Sequence, residues 1–404
     1  MTKLNDADFK EWFRGFTDAE GSFIITPNNK GANFLFKFAI SLHIDDLNVL
    51  TFIRDSLSLG SVKEYPDHGY ATYSVTTQKE VLEIINLFDS QSLNTIKHLN
   101  FLAFKKAFQL YKKSKMSDAL VSEINAIRSN MNLSRTEFDS TLPSPHITPN
   151  WLLGFVEGEG SFFVKKGKNF PIGFSIGQSS SELALLQKIR EFILALPGDY
   201  TASRNNSNVV GVYTGKAVNN AKAMSHIAIR DPMFIKNVLI PFFDSLVFHS
   251  KKGLDYNDWK TVLTLKEEGK HFTELGEKVI EGFIGRMNNN RLSTNKAEGL
   301  ASYLEGEFLN DLNHLLSLPS NLEVHSNGKI FIISQGKYYN TGNNLAVQLV
   351  DSNDLVIREF DSVTDCSKFL ELSKNTISRR LASRKPIEWN GQTVYVVPGN
   401  TLSN

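Results

Sequence analysis

Apolar and polar positions alternate along some stretches of this chain and recur at helical spacing along others. Within 34–42, apolar Phe36, Phe38 and Ile40 alternate with more polar neighbours, which indicates a strand with one buried face. Within 47–57, apolar residues recur three or four positions apart, which indicates a helix with one buried face. Extended over the chain, these patterns predict helix, two strands, helix, two strands and further helices, in an order that occurs twice.

The predicted elements form two copies of one arrangement. In the first copy, Asp45 and Asp46 are predicted to cap the helix that follows them, because carboxylates accept hydrogen bonds from helix N-termini. Further helices are predicted around 120–131 between the copies, and near 272–287 and over 297–316 after them. The strands are predicted at 22–26, 34–42, 61–65 and 70–76 and again at 161–166, 172–178, 209–214 and 226–230, with helices at 47–57, 81–88, 97–113, 181–196 and up to 240.

One stretch of the chain is present in both copies, as Trp12–Phe23 and as Trp151–Phe162. Each copy is an apolar helix that ends in a carboxylate and is followed by Gly, Ser, Phe and the start of a strand. A repeat at long spacing constrains the architecture more than any local pattern does. It predicts two duplicated half-domains within a single chain.

Small residues lie on one face of each repeated helix. Gly15 and Ala19 are one helical turn apart in the first copy, as are Gly154 and Gly158 in the second. Small residues at this spacing allow two helix backbones to approach closely. We therefore expect the two helices to pack against each other through these faces, with their C-terminal ends side by side.

A carboxylate ends each of these helices, Glu20 in the first and Glu159 in the second. The glycines that follow, Gly21 and Gly160, suit a left-handed C-cap. The negative end of the helix dipole disfavours both carboxylates, and they repel each other once they meet. A hard divalent cation such as Mg²⁺ would stabilise the pair, with water and phosphate oxygens as its other ligands. The pair predicts a metal site for phosphodiester chemistry. The alternative is that the glycines serve packing alone and the glutamates are solvated, which would explain one copy of the motif but explains two copies poorly.

Both stretches resemble the LAGLIDADG motif of homing endonucleases, in the single-chain form with two motifs, and the resemblance covers residues 6–287. It implies that Glu20 and Glu159 bind the catalytic metal, with help from the main-chain carbonyls of Ala19 and Gly158. The implied metal is Mg²⁺, which Ca²⁺ or Mn²⁺ could replace in binding. The preceding acids, Asp18 and Glu157, match positions that the family usually fills with Asp, and we interpret Glu157, which departs from that pattern, as structural.

The resemblance also implies a fold and a partner. The fold class is α+β, a duplicated αββαββα core in which two antiparallel saddle sheets lie on either side of a central helix pair. Polar side chains on the open strand faces would follow the major groove of double-stranded DNA, and phosphate contacts would make the affinity depend on salt. The candidate DNA-binding residues are Ser22, Thr26, Lys37, Ser41, Lys63, Thr72, Ser74, Lys165, Ser175, Arg204 and Arg230.

Three further residues match positions that act in catalysis in this family. Lys97 and Lys252 occupy equivalent places after the fourth strand of each copy, where the family keeps a basic residue near the scissile phosphates. Gln178 matches a polar position that orients water, and its counterpart in the first copy is Leu42. We therefore expect two cleavage centres that are not equivalent.

The C-terminal segment differs in composition from the rest. Strands at 330–334, 346–351 and 355–360 and two helices at 362–370 and 374–381 resemble the NUMOD-type helix-turn-helix module appended to several homing endonucleases. The residues left for solvent or a DNA groove are Asn375, Thr376, Ser378, Arg379 and Arg380, and a small surface domain with a solvated basic helix is the alternative. The predicted domains are 1–113, the first half; 114–149, a linker; 150–290, the second half; 291–340, a connecting segment; and 341–404, the helix-turn-helix module.

Composition and the N-terminal sequence bear on the partner of the protein and on its cellular compartment. The chain has 404 residues, 41% of them hydrophobic, with a formal net charge of +1, so basic residues must be arranged rather than abundant if it binds nucleic acid. Cys366 is the only cysteine, which excludes a disulfide framework and fits a reducing compartment. The N-terminus resembles neither a signal nor a transit peptide, and no apolar run could span a membrane. Because relatives are commonly encoded within organellar introns, we expect a mitochondrial protein, or else a cytoplasmic one.

Three functions from different classes remain open. The first is a monomeric, site-specific endonuclease that cuts both strands of DNA. The second is an intron maturase that binds host intron RNA, or a protein with both activities. The third is a catalytically inactive DNA-binding regulator, which the presence of both Glu20 and Glu159 disfavours. A glycosidase also uses paired carboxylates, but nothing in the sequence indicates an aromatic sugar-binding cleft.

Overall fold

The protein forms two compact units, Met1–Pro319 and Ser320–Asn404. The computed structural model describes residues 5–28, 33–132, 135, 142–198, 209–216, 223–295, 303–325, 329–339, 346–360 and 362–399. The division at Pro319 falls inside the segment 291–340, which the sequence predicted to be a connecting segment.

The first unit contains the predicted duplication. In each half a motif helix leads into two strands, a helix, two strands and further helices. Each half has one four-stranded antiparallel sheet in which the first and third strands along the chain lie at the edges. The α+β fold class is thereby confirmed. The first half comprises α1 (Asp6–Glu20), β1 (Gly21–Asn28), β2 (Asn33–His43), α2 (Leu47–Leu57), β3 (Ser61–Tyr65), β4 (Tyr70–Val75), α3 (Gln78–Ser90) and α4 (Lys97–Lys113), and α5 (Asp118–Ser129) follows it.

The second half repeats this order with shorter strands. Its fourth strand is followed by a helix interrupted by a π-helical stretch, Ile235–Leu239, rather than by one regular helix. The elements are α6 (Pro149–Glu159), β5 (Gly160–Val164), β6 (Ile172–Ser179), α7 (Leu183–Ala195), β7 (Gly211–Thr214), β8 (Met224–Ile229), α8 (Pro232–Phe234), α9 (Ile240–Asp244) and α10 (Lys252–Glu267). Helices α11 (Glu274–Ile284) and α12 (Glu305–Ser317) complete the unit.

The motif helices α1 and α6 pack as closely as the small-residue prediction requires. A Cβ atom built on Gly15 would lie 2.0 Å from the carbonyl oxygen of Trp151, and one on Gly154 would lie 2.1 Å from that of Trp12. Both distances are far inside van der Waals contact, so only glycine allows the two backbones to touch. The close helix pair is confirmed.

The glycines that end these helices are not left-handed, so that prediction was wrong. Gly21 has φ −70° and ψ 148°, and Gly160 has φ −77° and ψ 151°, which is extended backbone that any residue adopts. Glycine is needed there for space instead. A Cβ on Gly21 would lie 2.5 Å from Cγ2 of Thr17, and one on Gly160 would lie 2.6 Å from Cγ1 of Val156. The chain thus passes straight from helix to strand.

The predicted capping role of Asp45 and Asp46 was also wrong. These residues belong to a 3₁₀ turn, Ile44–Asp46, and no side-chain hydrogen bond caps α2. Both carboxylates instead bind groups from the second half of the chain, described below. Tertiary partners outweigh the local cap here because they include a charged ammonium group.

The C-terminal unit has its own core, in which Val347, Leu349, Cys366, Ile377 and Val394 are buried. The two helices predicted here are present, at Val363–Phe369 and Lys374–Ser383, whereas the strands Leu322–Val324, Lys337–Tyr338, Ile387–Trp389 and Gln392–Pro398 were missed. No helix in the described ranges is long and apolar enough to cross a membrane. The elements are β9 (Leu322–Val324), β10 (Ile330–Ile332), β11 (Lys337–Tyr338), β12 (Val347–Val350), β13 (Val356–Phe360), α13 (Val363–Phe369), α14 (Lys374–Ser383), β14 (Ile387–Trp389) and β15 (Gln392–Pro398).

Candidate active site

The structure brings Glu20 and Glu159 together at the ends of the central helix pair. Both side chains are half-buried. Burial raises the pKa of each carboxyl group; the nearby charge of Glu159 raises the pKa of Glu20 further, while Lys97 and Lys252 lower both pKa values. Two acids and two bases thus interact electrostatically at the pseudo-two-fold axis.

The two lysines occupy matching positions, because Lys97 is the first residue of α4 and Lys252 the first residue of α10. The ammonium group of Lys97 donates to the carbonyl oxygens of Ala19, at 2.5 Å, and Thr17, at 3.3 Å. Burial lowers the pKa of Lys97, and the surrounding carboxylates oppose that shift. The last turn of α1 therefore already attracts a cation, as the helix dipole predicts.

The two carboxylates have different neighbours. Gln178, near the end of β6, hydrogen-bonds to the Glu159 carboxylate and lowers its pKa. The counterpart of Gln178 in the first half is Leu42, which lines a cavity of about 650 Å³ together with Glu20 and Lys252. The two carboxylates therefore differ in their polar neighbours, and the non-equivalence of two cleavage centres stays a prediction.

The preceding acids, Asp18 and Glu157, are buried and bound to the chain. Asp18 accepts hydrogen bonds from the backbone N–H groups of Asn94 and Thr95, each at 2.9 Å, from the hydroxyl of Thr95 and from the indole of Trp151. Glu157 repeats this arrangement. It accepts from the backbone of His249 and Ser250, from the hydroxyl of Ser250 and from the indole of Trp12. This geometry fits the structural interpretation of Glu157, and Asp18 has the same kind of environment.

The candidate DNA-binding residues of the first half share the open face of one sheet. Cross-strand pairs place Ser22 and Ser74 opposite Ala39, and Lys63 and Ser41 opposite Thr72. Thr26 and Lys37 belong to the same face by alternation. In the second half, Ser175 lies opposite Ser161 on the corresponding face. Lys165 and Arg230 follow β5 and β8 and line one pocket, whereas Arg204 lies outside the described residues.

In the C-terminal unit, α14 is anchored by buried Ile377 and exposes the rest of its surface. Asn375, Ser378 and Arg379 are exposed, and Thr376 and Arg380 are half-exposed. These side chains are therefore accessible, as the sequence predicted.

The donor set at the paired carboxylates fits a hard divalent cation. No group of three or more His, Cys, Asp or Glu side chains in the described ranges could hold a metal. The pair Glu20 and Glu159 supplies two half-buried carboxylates, and Mg²⁺ accepts one or two carboxylates beside water and phosphate oxygens.

Comparison with known proteins agrees with this site. The family model described as LAGLIDADG endonuclease matches residues 13–108 and 152–263, which include both glutamates and both lysines of the candidate site. The chain belongs to the LAGLIDADG endonuclease family. It is therefore a nuclease of the homing-endonuclease type, and its two matched segments are the two halves of the first unit.

Relatives of this LAGLIDADG chain carry related descriptions. An uncharacterized mitochondrial protein of Saccharomyces cerevisiae is 25% identical, over 92% of this chain and 78% of its own length. A probable intron-encoded endonuclease of Neurospora crassa is 29% identical, over 67% of this chain and 53% of its own length. Among solved structures, the LAGLIDADG homing endonuclease I-GzeII in complex with its DNA target is 26% identical, with a TM-score of 0.58, over 72% of this chain and 100% of its own.

A second repeated motif of this LAGLIDADG chain was missed. Asn132 and Asn288 both have φ 54°, and their side-chain amides donate to the carbonyls of Phe23 and Phe162. Three residues later, Arg135 binds Asn100, and Arg291 binds Asp255 and Asp258. The sequence signal was Met-Asn followed by Arg at 131–135 and again at 287–291. Arg291 lines the same cavity as Glu20.

Proposed function

We propose that this protein is a monomeric homing endonuclease that makes a metal-dependent double-strand break in a long, asymmetric DNA target by phosphodiester hydrolysis. The observation that supports this most directly is the meeting of Glu20 and Glu159 between two lysines, at the centre of two open sheets. Because the two halves differ in sequence, the DNA half-sites that they bind differ as well, so the target has no two-fold symmetry.

The metal we propose is Mg²⁺, held by the carboxylates of Glu20 and Glu159 with the carbonyls of Ala19 and Gly158. When bound, it supplies Lewis-acid stabilisation of a phosphoryl oxygen and a bound water of lowered pKa. Lys97 and Lys252 stabilise the negative charge that develops on the two scissile phosphates. Gln178 orients the attacking water beside Glu159. The equivalent position beside Glu20 is the hydrophobic Leu42, so that side has no such group.

DNA contacts extend from this centre along both sheets. The open-face residues of the first half, with Lys165, Ser175, Arg204 and Arg230 of the second, read the major groove and bind phosphates. The exposed face of α14 binds duplex DNA, as a NUMOD-type module does. We further propose a mitochondrial location, supported by the mitochondrial protein of Saccharomyces cerevisiae among the relatives.

The test is cleavage of a randomised duplex library in Mg²⁺ by the wild type, Glu20→Gln and Glu159→Gln. Each substitution replaces a charged metal ligand by a neutral amide of the same size, so we expect loss of the double-strand break with DNA binding retained. Glu83→Gln in α3 is the matched control, because it makes the same change at an exposed carboxylate outside the centre and outside the open sheet faces. Binding without cleavage by the wild type would contradict the proposal and direct the next assay to splicing of intron RNA.

A further inference from the structure

The chain segments that lead into the two lysine helices have their backbone donors satisfied in the same unusual way. Before α4, the N–H groups of Asn94 and Thr95 bind Asp18, and that of Lys97 binds the hydroxyl of Thr95. The N–H group between them, on Ile96, binds the carboxylate of Glu182 at 2.8 Å. The first N–H groups of a helix have no partner within the helix, so such acceptors decide where it starts.

The second half repeats this arrangement. The N–H groups of His249 and Ser250 bind Glu157, and the N–H group of Lys252 approaches the hydroxyl of Ser250 at 3.3 Å. The N–H group of Lys251 binds the carboxylate of Asp46 at 2.9 Å. Two carboxylates thus fix the start of each lysine helix.

One of these two carboxylates always comes from the other half. Glu182 ends the 3₁₀ turn after β6 and binds the helix of the first half, whereas Asp46 ends the 3₁₀ turn after β2 and binds the helix of the second half. The contacts are therefore reciprocal about the pseudo-two-fold axis. Neither acid belongs to the LAGLIDADG motif.

The two acids lie close to the proposed centre. Asp46 lines the cavity that also contains Glu20 and Lys252. Burial raises the pKa of both Asp46 and Glu182. The charge of Lys97 lowers the pKa of Glu182 and that of Glu159 raises it, so both site residues interact with this carboxylate. Half-buried carboxylates are costly unless they are bound, which argues against an incidental placement.

We propose that Asp46 and Glu182 are reciprocal positioning residues, each of which fixes the catalytic lysine of the opposite half by binding the backbone in front of it. Glu182 thereby sets the position of Lys97, and Asp46 sets that of Lys252. Neither half can present its lysine correctly without the other. This inference rests on the proposed cleavage activity for its kinetic consequence, but not for its structural one.

The structural consequence is measured without DNA or metal, by hydrogen exchange with mass spectrometry on the full chain. In Glu182→Ala we expect faster hydrogen exchange in the peptide 93–99 and an unchanged rate in the peptide 248–254. In Asp46→Ala we expect faster exchange in 248–254 and an unchanged rate in 93–99. Glu182→Gln should retain protection, because an amide oxygen also accepts from the N–H group of Ile96. Glu80→Ala is the matched control, since Glu80 accepts from the N–H group of Gly60 within one half, at 2.9 Å.

The kinetic consequence is read on each DNA strand separately, with a duplex that the wild type cuts in Mg²⁺. We expect Glu182→Ala to slow cleavage of the strand that Lys97→Ala slows, about tenfold or more, with unchanged DNA affinity, since small misplacements of a catalytic group have effects of this size. Asp46→Ala should act on the strand that Lys252→Ala affects. The double variant of Glu182 and Lys97 should be no slower than Lys97→Ala alone.

Three results would overturn the inference. They are unchanged exchange at 93–99 in Glu182→Ala, equal slowing of both strands, and additive loss in the double variant. If Glu182→Ala does not fold, Glu182→Asp shortens the side chain by one methylene and is measured in the same way. If the wild type cuts no DNA, the endonuclease proposal fails, and the exchange experiment still decides the structural one.

Discussion

Replacement of Gly154 by alanine tests the close contact on which the whole site depends. The added Cβ would lie 2.1 Å from the carbonyl oxygen of Trp12, and its nearest neighbours are backbone atoms that no rotamer change can remove. Ordinary contact begins near 3.4 Å. Helices α1 and α6 must therefore separate by about 1 Å, which also moves Glu20 away from Glu159.

The expected size of the effect follows from this displacement. Overpacking of a well-packed core reduces the free energy of unfolding by about 1–3 kcal/mol, and backbone-to-backbone overlap points to the upper value. The gain in helix propensity from glycine to alanine, about 1 kcal/mol, offsets part of it. A displacement of about 1 Å at the carboxylates should also slow cleavage about a hundredfold.

The assay is urea unfolding together with single-turnover cleavage of the duplex that the wild type cuts. Gly306→Ala in α12 is the matched control, because no atom lies within 4 Å of the added Cβ and the propensity gain should appear alone. We expect Gly306→Ala to be slightly more stable and equally active. Wild-type stability and cleavage in Gly154→Ala would refute the argument that this contact sets the position of the metal site.

Other predictions concern single contacts. Gln178→Leu should slow cleavage of one strand only, measured with strand-specific labels; equal slowing of both would contradict the proposed asymmetry. Trp151→Phe removes the 2.8 Å hydrogen bond to buried Asp18 and should lower the free energy of unfolding by at least about 1.5 kcal/mol, and an unchanged urea midpoint would count against it. Burial raises the pKa of Glu182 from 4.5 to about 7, so between those pH values the folded protein binds more protons at this group than the unfolded protein does. The free energy of unfolding should therefore fall by ~3 kcal/mol as the pH rises through that range. Glu182→Gln should flatten that slope, and identical pH profiles would be the contrary result.

Much of the fold could be predicted because its signals are local or repeated. Alternation placed β2 and β4, and helical periodicity placed α4 with the bounds that the structure shows. The duplicated motif predicted the close packing of α1 on α6 at Gly15 and Gly154, since a backbone contact between two helices needs residues without side chains. The small strands β9 and β11 were missed, because two or three residues carry no periodicity and are strands only through their partners.

The misinterpreted residues are those whose partners lie far along the chain. Asp45 and Asp46 precede a helix, which is the local pattern of a cap, but their carboxylates bind Lys251 and Ser293. Gly21 follows a helix, which is the local pattern of a left-handed end, but its backbone is extended because a strand begins at once. In both cases a tertiary contact replaced the locally favoured one.

The sequence by itself determined the family, the duplicated architecture and the paired acids, because a repeated motif needs no knowledge of distant contacts. Only the tertiary structure decided how the two halves support each other at the centre. Asp46 binds the N–H group of Lys251, about two hundred positions away, and Glu182 binds that of Ile96, about ninety positions away. Such a contact exists only once the pseudo-two-fold axis has formed, since closing the chain over that distance must be offset by the packing of α1 on α6.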